Sequence, residues 1–278
     1  MPAVVDVDRR PASEGVGDLD VGLGVGVAYT PVVVAREAGV KFFRFNAGLA
    51  AILIAVALAF RMPASDPLSA AAFVALAAAE AAIVAYWATV GRALASIRPA
   101  LVWFGAAAGT LAIVLQALAA SAAFELSVRV LTVASFLTSA ALLGSACTAM
   151  ILGHWYLVIP SMPVRHLQSI VRTHILSLLV RAVVVGAAVV LALAISLPVQ
   201  PGVGPSFRRY ITSVSGVFFW QRILFGIAGP AVLSYLTWET AKIRSTQSAT
   251  GILYVDFFTV VVGEVLAKYL LLAARVPV

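Results

Sequence analysis

The chain has 278 residues, 62% of them hydrophobic and 11% charged, with a formal net charge of +7. A soluble domain carries about 25% charged residues and needs a polar face on each surface helix. This composition therefore excludes an ordinary soluble globular protein and implies that lipid is the solvent for much of the surface. The basic excess does not imply nucleic acid, because Lys and Arg fall in short clusters between apolar runs, as the positive-inside rule requires.

The single cysteine, Cys147, lies in an apolar run, which excludes an intramolecular disulfide and a cysteine-based metal site. Asp6, Asp8, Glu14, Asp18 and Asp20 make the N-terminus acidic, unlike a secretory signal, and residues 1–20 are expected to be disordered. Residues 21–35 are rich in glycine and valine and contain Pro31. They are short for a span, so an interfacial segment or an extra helix is expected. The domain reading is an N-terminal segment 1–35 followed by a transmembrane helical domain 36–278.

The expected fold is all-α: a polytopic bundle of about seven membrane-spanning helices with its N-terminus in the cytoplasm. The first helix runs from Lys41 to Phe60 and the second from Pro67, a favoured first-turn residue, to Val90. The third spans Pro99 to Phe124 and the fourth Val130 to Leu157, before Pro160. The fifth spans His174 to Leu197, the sixth Ile211 to Trp238 and the seventh Ala249 to Ala273. Each is near or above the roughly 20 residues that cross a bilayer core. Arg36, Lys41, Arg44, Arg92, Arg98, Arg165, Arg172, Lys242 and Arg244 fall on one side of this topology, and fewer basic residues on the other. The richer side is expected to be cytoplasmic. The expected location is the cell (cytoplasmic) membrane.

Ionisable groups inside a membrane need a partner, a cavity or a task. Glu80, Arg181, Arg222, Asp256, Glu264 and Lys268 are the candidates for a proton path or for structural ion pairs. A rise of about 1.5 Å per residue matches the depth of Arg222 to Glu264 and that of Arg181 to Asp256. Glu264 and Lys268 are spaced i, i+4 in the favourable order. Glu80 has no basic residue near it in sequence.

A second constellation falls at the cytoplasmic end. His154, Trp155 and Tyr156 close the fourth helix, His174 opens the fifth, and Trp238 with Glu239 closes the sixth. An aromatic belt explains such a cluster, although belts normally form at both interfaces. A quinone headgroup needs an aromatic slot, a hydrogen-bonding His or Tyr and a proton-exchanging acid. His154, Tyr156 and Glu239 would act on it, with Trp155, Trp238 and His174 binding it. Haem b with axial His154 and His174 is a lesser alternative. The three histidines match no zinc-ligand spacing, so no metal is expected. No Walker loop, nucleophile elbow, metalloprotease motif or dinucleotide fingerprint is present.

Three functions remain open at this level. The first is a membrane subunit exchanging protons and electrons with the quinone pool beside a membrane or peripheral redox partner. The second is a small transporter or channel using the intramembrane charges. The third is a structural subunit without chemistry, since Gly144, Ala141, Ser145 and Thr148 give the fourth helix a small-residue packing face. A redox subunit requires a pocket at the His/Trp/Tyr cluster, and a transporter requires a central cavity and broken helices.

Overall fold

The computed structural model describes residues 21–29, 39–60, 66–92, 94–159, 162–194 and 206–278. Seven helices among them are long and apolar enough to cross a membrane, and no strand occurs among the described residues. They are α1 (Val40–Ala59), α2 (Pro67–Thr89), α3 (Arg98–Ala120), α4 (Leu126–Val158), α5 (Arg165–Ala194), α6 (Val214–Lys242) and α7 (Thr246–Ala274). The chain is a multi-pass helical membrane protein.

Consecutive helices form the main contacts, and α7 also packs along α4. In the most apolar stretch of α4, 61% of residues are buried by protein, against 28–39% for the other spans, so α4 is the central helix. Ile52, Val74, Trp103, Val183 and Phe258 point outward, where lipid replaces protein contacts. Several hydroxyls within the spans are satisfied on their own helices: Thr132 donates to the Val128 carbonyl and Thr138 to that of Ala134.

Local sequence explains several boundaries. Asp66 caps α2 by accepting from the backbone N–H groups of Leu68 and Ser69, with Pro67 in the first turn. α6 is broken by a π-helical turn at Leu224–Ala228, directly before Gly229-Pro230. Pro230 has no N–H to donate back along the helix, and a widened turn accommodates its ring. α5 departs most from expectation. It starts at Arg165, nine residues before His174, so its polar opening turns are helix and not loop.

Residues 21–28 are helical, and Val21, Val25 and Val27 belong to the same core as α1 to α4. Gly26 lies on Gly144 and Ala140 so closely that a Cβ on Gly26 would run into their backbones. Gly144 is about 3 Å along the axis from the midpoint of α4. This part of the 21–35 segment is thus a helix buried deep in the bundle and not at an interface. The Tyr29 hydroxyl donates to the Ala106 carbonyl and shares a hydrogen bond with the Thr110 hydroxyl. The expectation for residues 1–20 lies outside the described residues.

Candidate functional site

The deepest charges form a three-residue cluster. Arg181 on α5 donates from Nε to Glu264 Oε1 at 3.0 Å and from Nη2 to Oε2 at 2.9 Å. Arg222 on α6 donates from Nη2 to Oε1 of the same carboxylate at 2.9 Å. Arg181 Nη1 also reaches the Ser135 hydroxyl at 2.7 Å. All three charged side chains are at most 1% exposed. Buried pairs hold when geometry is good and the remaining protons find acceptors. Arg181 meets that condition, whereas Nε and Nη1 of Arg222 have no partner. Arg222 Nη1 instead sits in a notch where α6 and α7 cross at Gly226 and Gly263; a Cβ on either glycine would press on it.

The depth-matched contact of Arg222 with Glu264 is present, but Arg181 does not meet Asp256. The longer α5 is the reason. With its centre near residue 180, Arg181 lies at mid-span beside Glu264, not toward one end. Lys268 does not join Glu264 either: its Nζ lies 3.1 Å from the Phe136 ring centroid. Glu80 stays apart from these groups, with Oε2 buried and without a partner.

Asp256 faces His174 instead. His174 Nε2 is 2.8 Å from Asp256 Oδ2, and both side chains are 1% exposed. His174 Nδ1 is 3.1 Å from the Ser145 hydroxyl of α4. The early start of α5 again decides this, because it carries His174 about 8 Å inside the span centre instead of to the membrane surface.

Ser145 also lines a cavity of about 320 Å³ on α4 between α3, α5 and residues 26–29. Its polar lining is the hydroxyls of Tyr29, Ser145, Thr148, Thr173 and Ser177, beside Gly144 and Ala141. The α4 wall runs from Leu137 to Thr148, about 16 Å of helix across the span centre.

The cluster at the basic end is spread over separate contacts. His154 accepts or donates at Nδ1 with the Tyr254 hydroxyl, 3.1 Å away on an exposed face. Tyr156 is buried and structural: its hydroxyl donates to the Pro163 carbonyl at 2.5 Å and accepts from the Leu167 N–H, pinning the turn into α5. Trp155 packs edge-on to Phe42. Trp238 lies between Arg172 and Lys242, and Glu239 pairs with Lys242 at 2.7 Å on the surface. Neither His154, Tyr156 nor Glu239 lines the cavity; His174 Nδ1 is hydrogen-bonded with Ser145, and Nε2 makes an ionic contact with Asp256 Oδ2 without the alignment of a hydrogen bond.

Ser135 and Ser145 escaped the reading of the sequence because serines on a small-residue face look like packing. The available signal was a buried histidine and carboxylates on neighbouring helices, which need hydroxyl partners. No protein-family model matches the chain, and no curated protein matches it.

Proposed function

We propose that the protein is a small transporter of a neutral, hydrogen-bonding solute. In this reading it sits in the cell membrane with its arginine-richer loops in the cytoplasm. The observation that carries the reading is the hydroxyl-lined cavity beside the middle of α4. At about 320 Å³ it has the size of a small-molecule site. Its lining is mostly apolar, with a few hydroxyl oxygens as acceptors and no charged side chain, which suits a small uncharged solute.

Gly26 and Tyr29, from the described residues 21–29, line the cavity beside α4. The charged cluster of Arg181, Arg222 and Glu264 serves here as the lock that holds α5, α6 and α7 in register.

Osmotic swelling of proteoliposomes tests the proposal, with glycerol, urea, glucose and glycinamide as probes. Wild-type vesicles are expected to admit at least one probe faster than protein-free vesicles. Ala141→Trp, which fills the cavity from an exposed position on its wall, is expected to remove that excess. If no probe enters faster than through bare lipid, or if the tryptophan has no effect, the reading fails.

A further inference from the structure

Ser145 touches the cavity on one side and a buried pair on the other. The residue lines the cavity, and its Oγ lies 3.1 Å from His174 Nδ1 and 3.0 Å from the Leu142 carbonyl oxygen. Behind it, His174 Nε2 faces Asp256 Oδ2 at 2.8 Å. Asp256 Oδ1, Asp256 Oδ2 and His174 Nε2 are all buried without a hydrogen-bond partner, so the 2.8 Å approach is an ionic contact and not an aligned hydrogen bond. Along their helix axes the three residues lie about 4 to 8 Å from the span centres, toward the same end.

Two arrangements of hydrogen fit these distances. With neutral imidazole, Nε2–H faces the carboxylate and Nδ1 accepts from the Ser145 hydroxyl. With imidazolium, Nδ1–H donates to Ser145 Oγ, and the serine hydrogen turns to the Leu142 carbonyl. The states differ by one proton on Nδ1. The atom through which that proton reaches the cavity is Ser145 Oγ. The loaded pair is neutral overall and the unloaded pair carries one negative charge, a difference that matters most in a low-dielectric interior.

We propose that Ser145, His174 and Asp256 form a proton-binding site that loads and unloads through the cavity by way of the Ser145 hydroxyl. On loading, Ser145 Oγ accepts a proton from a hydronium ion in the cavity and passes its own hydrogen to Nδ1. The hydronium leaves as water: two O–H bonds break, one on hydronium and one on the serine, one O–H and one N–H bond form, and no electron is transferred. Unloading is the reverse.

A hydrolytic triad uses similar distances but also needs donors for an oxyanion. The cavity hydroxyls of Thr173 and Ser177 are spent on carbonyls of their own helix. The other charged groups on the surrounding helices have their own contacts. Arg181, Arg222 and Glu264 bind one another, Glu239 binds Lys242, Arg172 lies over Trp238 and Lys268 over Phe136. His154 is held by Tyr254. Neither His174 nor Asp256 makes another ion pair among the described residues. The site stands on this geometry alone; only the use of its proton to drive a solute rests on the transporter reading.

The test is a pH titration of the full chain in lipid nanodiscs, with ¹⁵N-labelled histidine followed by NMR. His174→Gln assigns the signals. The His174 Nδ1 resonance is expected to move between its neutral and protonated positions as the pH is changed. Asp256→Asn should move that midpoint by about one pH unit or more, through loss of the facing charge. Ser145→Ala should slow exchange of the His174 N–H with water several-fold, and Ser145→Thr, which restores a hydroxyl, should recover it. A ring that keeps one protonation state over the whole range overturns the proposal, as does exchange unchanged in Ser145→Ala. If Asp256→Asn does not fold, the two serine variants still decide. Titration of His174 with no solute swelling removes the transporter and leaves the proton site; swelling with an inert His174 does the reverse.

Discussion

Arg181 and Glu264 form a two-pronged contact across the bundle, Nε to Oε1 at 3.0 Å and Nη2 to Oε2 at 2.9 Å, with both side chains sealed from solvent. Parallel hydrogen bonds of this kind fix orientation as well as charge. Arg222 then shares an oxygen that Arg181 already uses.

This sharing sets an order of mutational cost. Glu264→Gln leaves two buried guanidinium groups without their carboxylate and is expected to cost about 3 to 5 kcal/mol or to abolish folding. Arg181→Gln breaks both prongs and strands Ser135. Arg222→Gln leaves the Arg181–Glu264 pair intact and should be the mildest of the three. Thermal unfolding in detergent measures the order; an Arg222→Gln protein less stable than Arg181→Gln contradicts it.

The α6–α7 crossing gives a second prediction. Gly263→Ala places a Cβ against the Gly226 backbone and the Arg222 guanidinium. Overpacking of that kind costs about 1 to 3 kcal/mol. Gly186→Ala and Gly251→Ala meet open space within helices and should be neutral or gain about 0.5 to 1 kcal/mol. Equal stability of the three variants would mean that the crossing is not tight.

Tyr156 and His154 separate structure from surface. Tyr156→Phe removes the hydroxyl that joins Pro163 to Leu167 and should cost about 1 to 3 kcal/mol. His154→Ala, on an exposed face, should change stability by about 0.5 kcal/mol or less. Denaturation of both variants in the same detergent checks the contrast.

Reporter fusions test orientation. Fusions after Arg92 and Arg244 are expected to read cytoplasmic, and those after Asp66 and Ser206 external, from the asymmetry of Lys and Arg. The opposite pattern inverts the topology, and a shared side for Arg92 and Asp66 would mean that α2 does not span.

How much of this was legible in the sequence follows from the range of each signal. Span number came from length and hydropathy, which are local, and the membrane class came from a composition too poor in charge for water. The requirement that Glu264, Asp256, Arg181 and Arg222 find partners was also legible, because an isolated charge in lipid is too costly on any fold. The pairing of Arg222 with Glu264 was legible from their depths, but the partners of Arg181 and Asp256 were not. That depended on where α5 begins, and a polar helix turn outside the apolar core has the same composition as a loop. Starting at Arg165, α5 carries His174 into the membrane and Arg181 to mid-span, which gives His174 to Asp256 and adds Arg181 to the Arg222–Glu264 pair. The depth of residues 21–28, the cavity and the role of Ser145 were decided by packing alone: two glycines can touch across helices, and a serine can face a histidine, only when the tertiary fold brings them together.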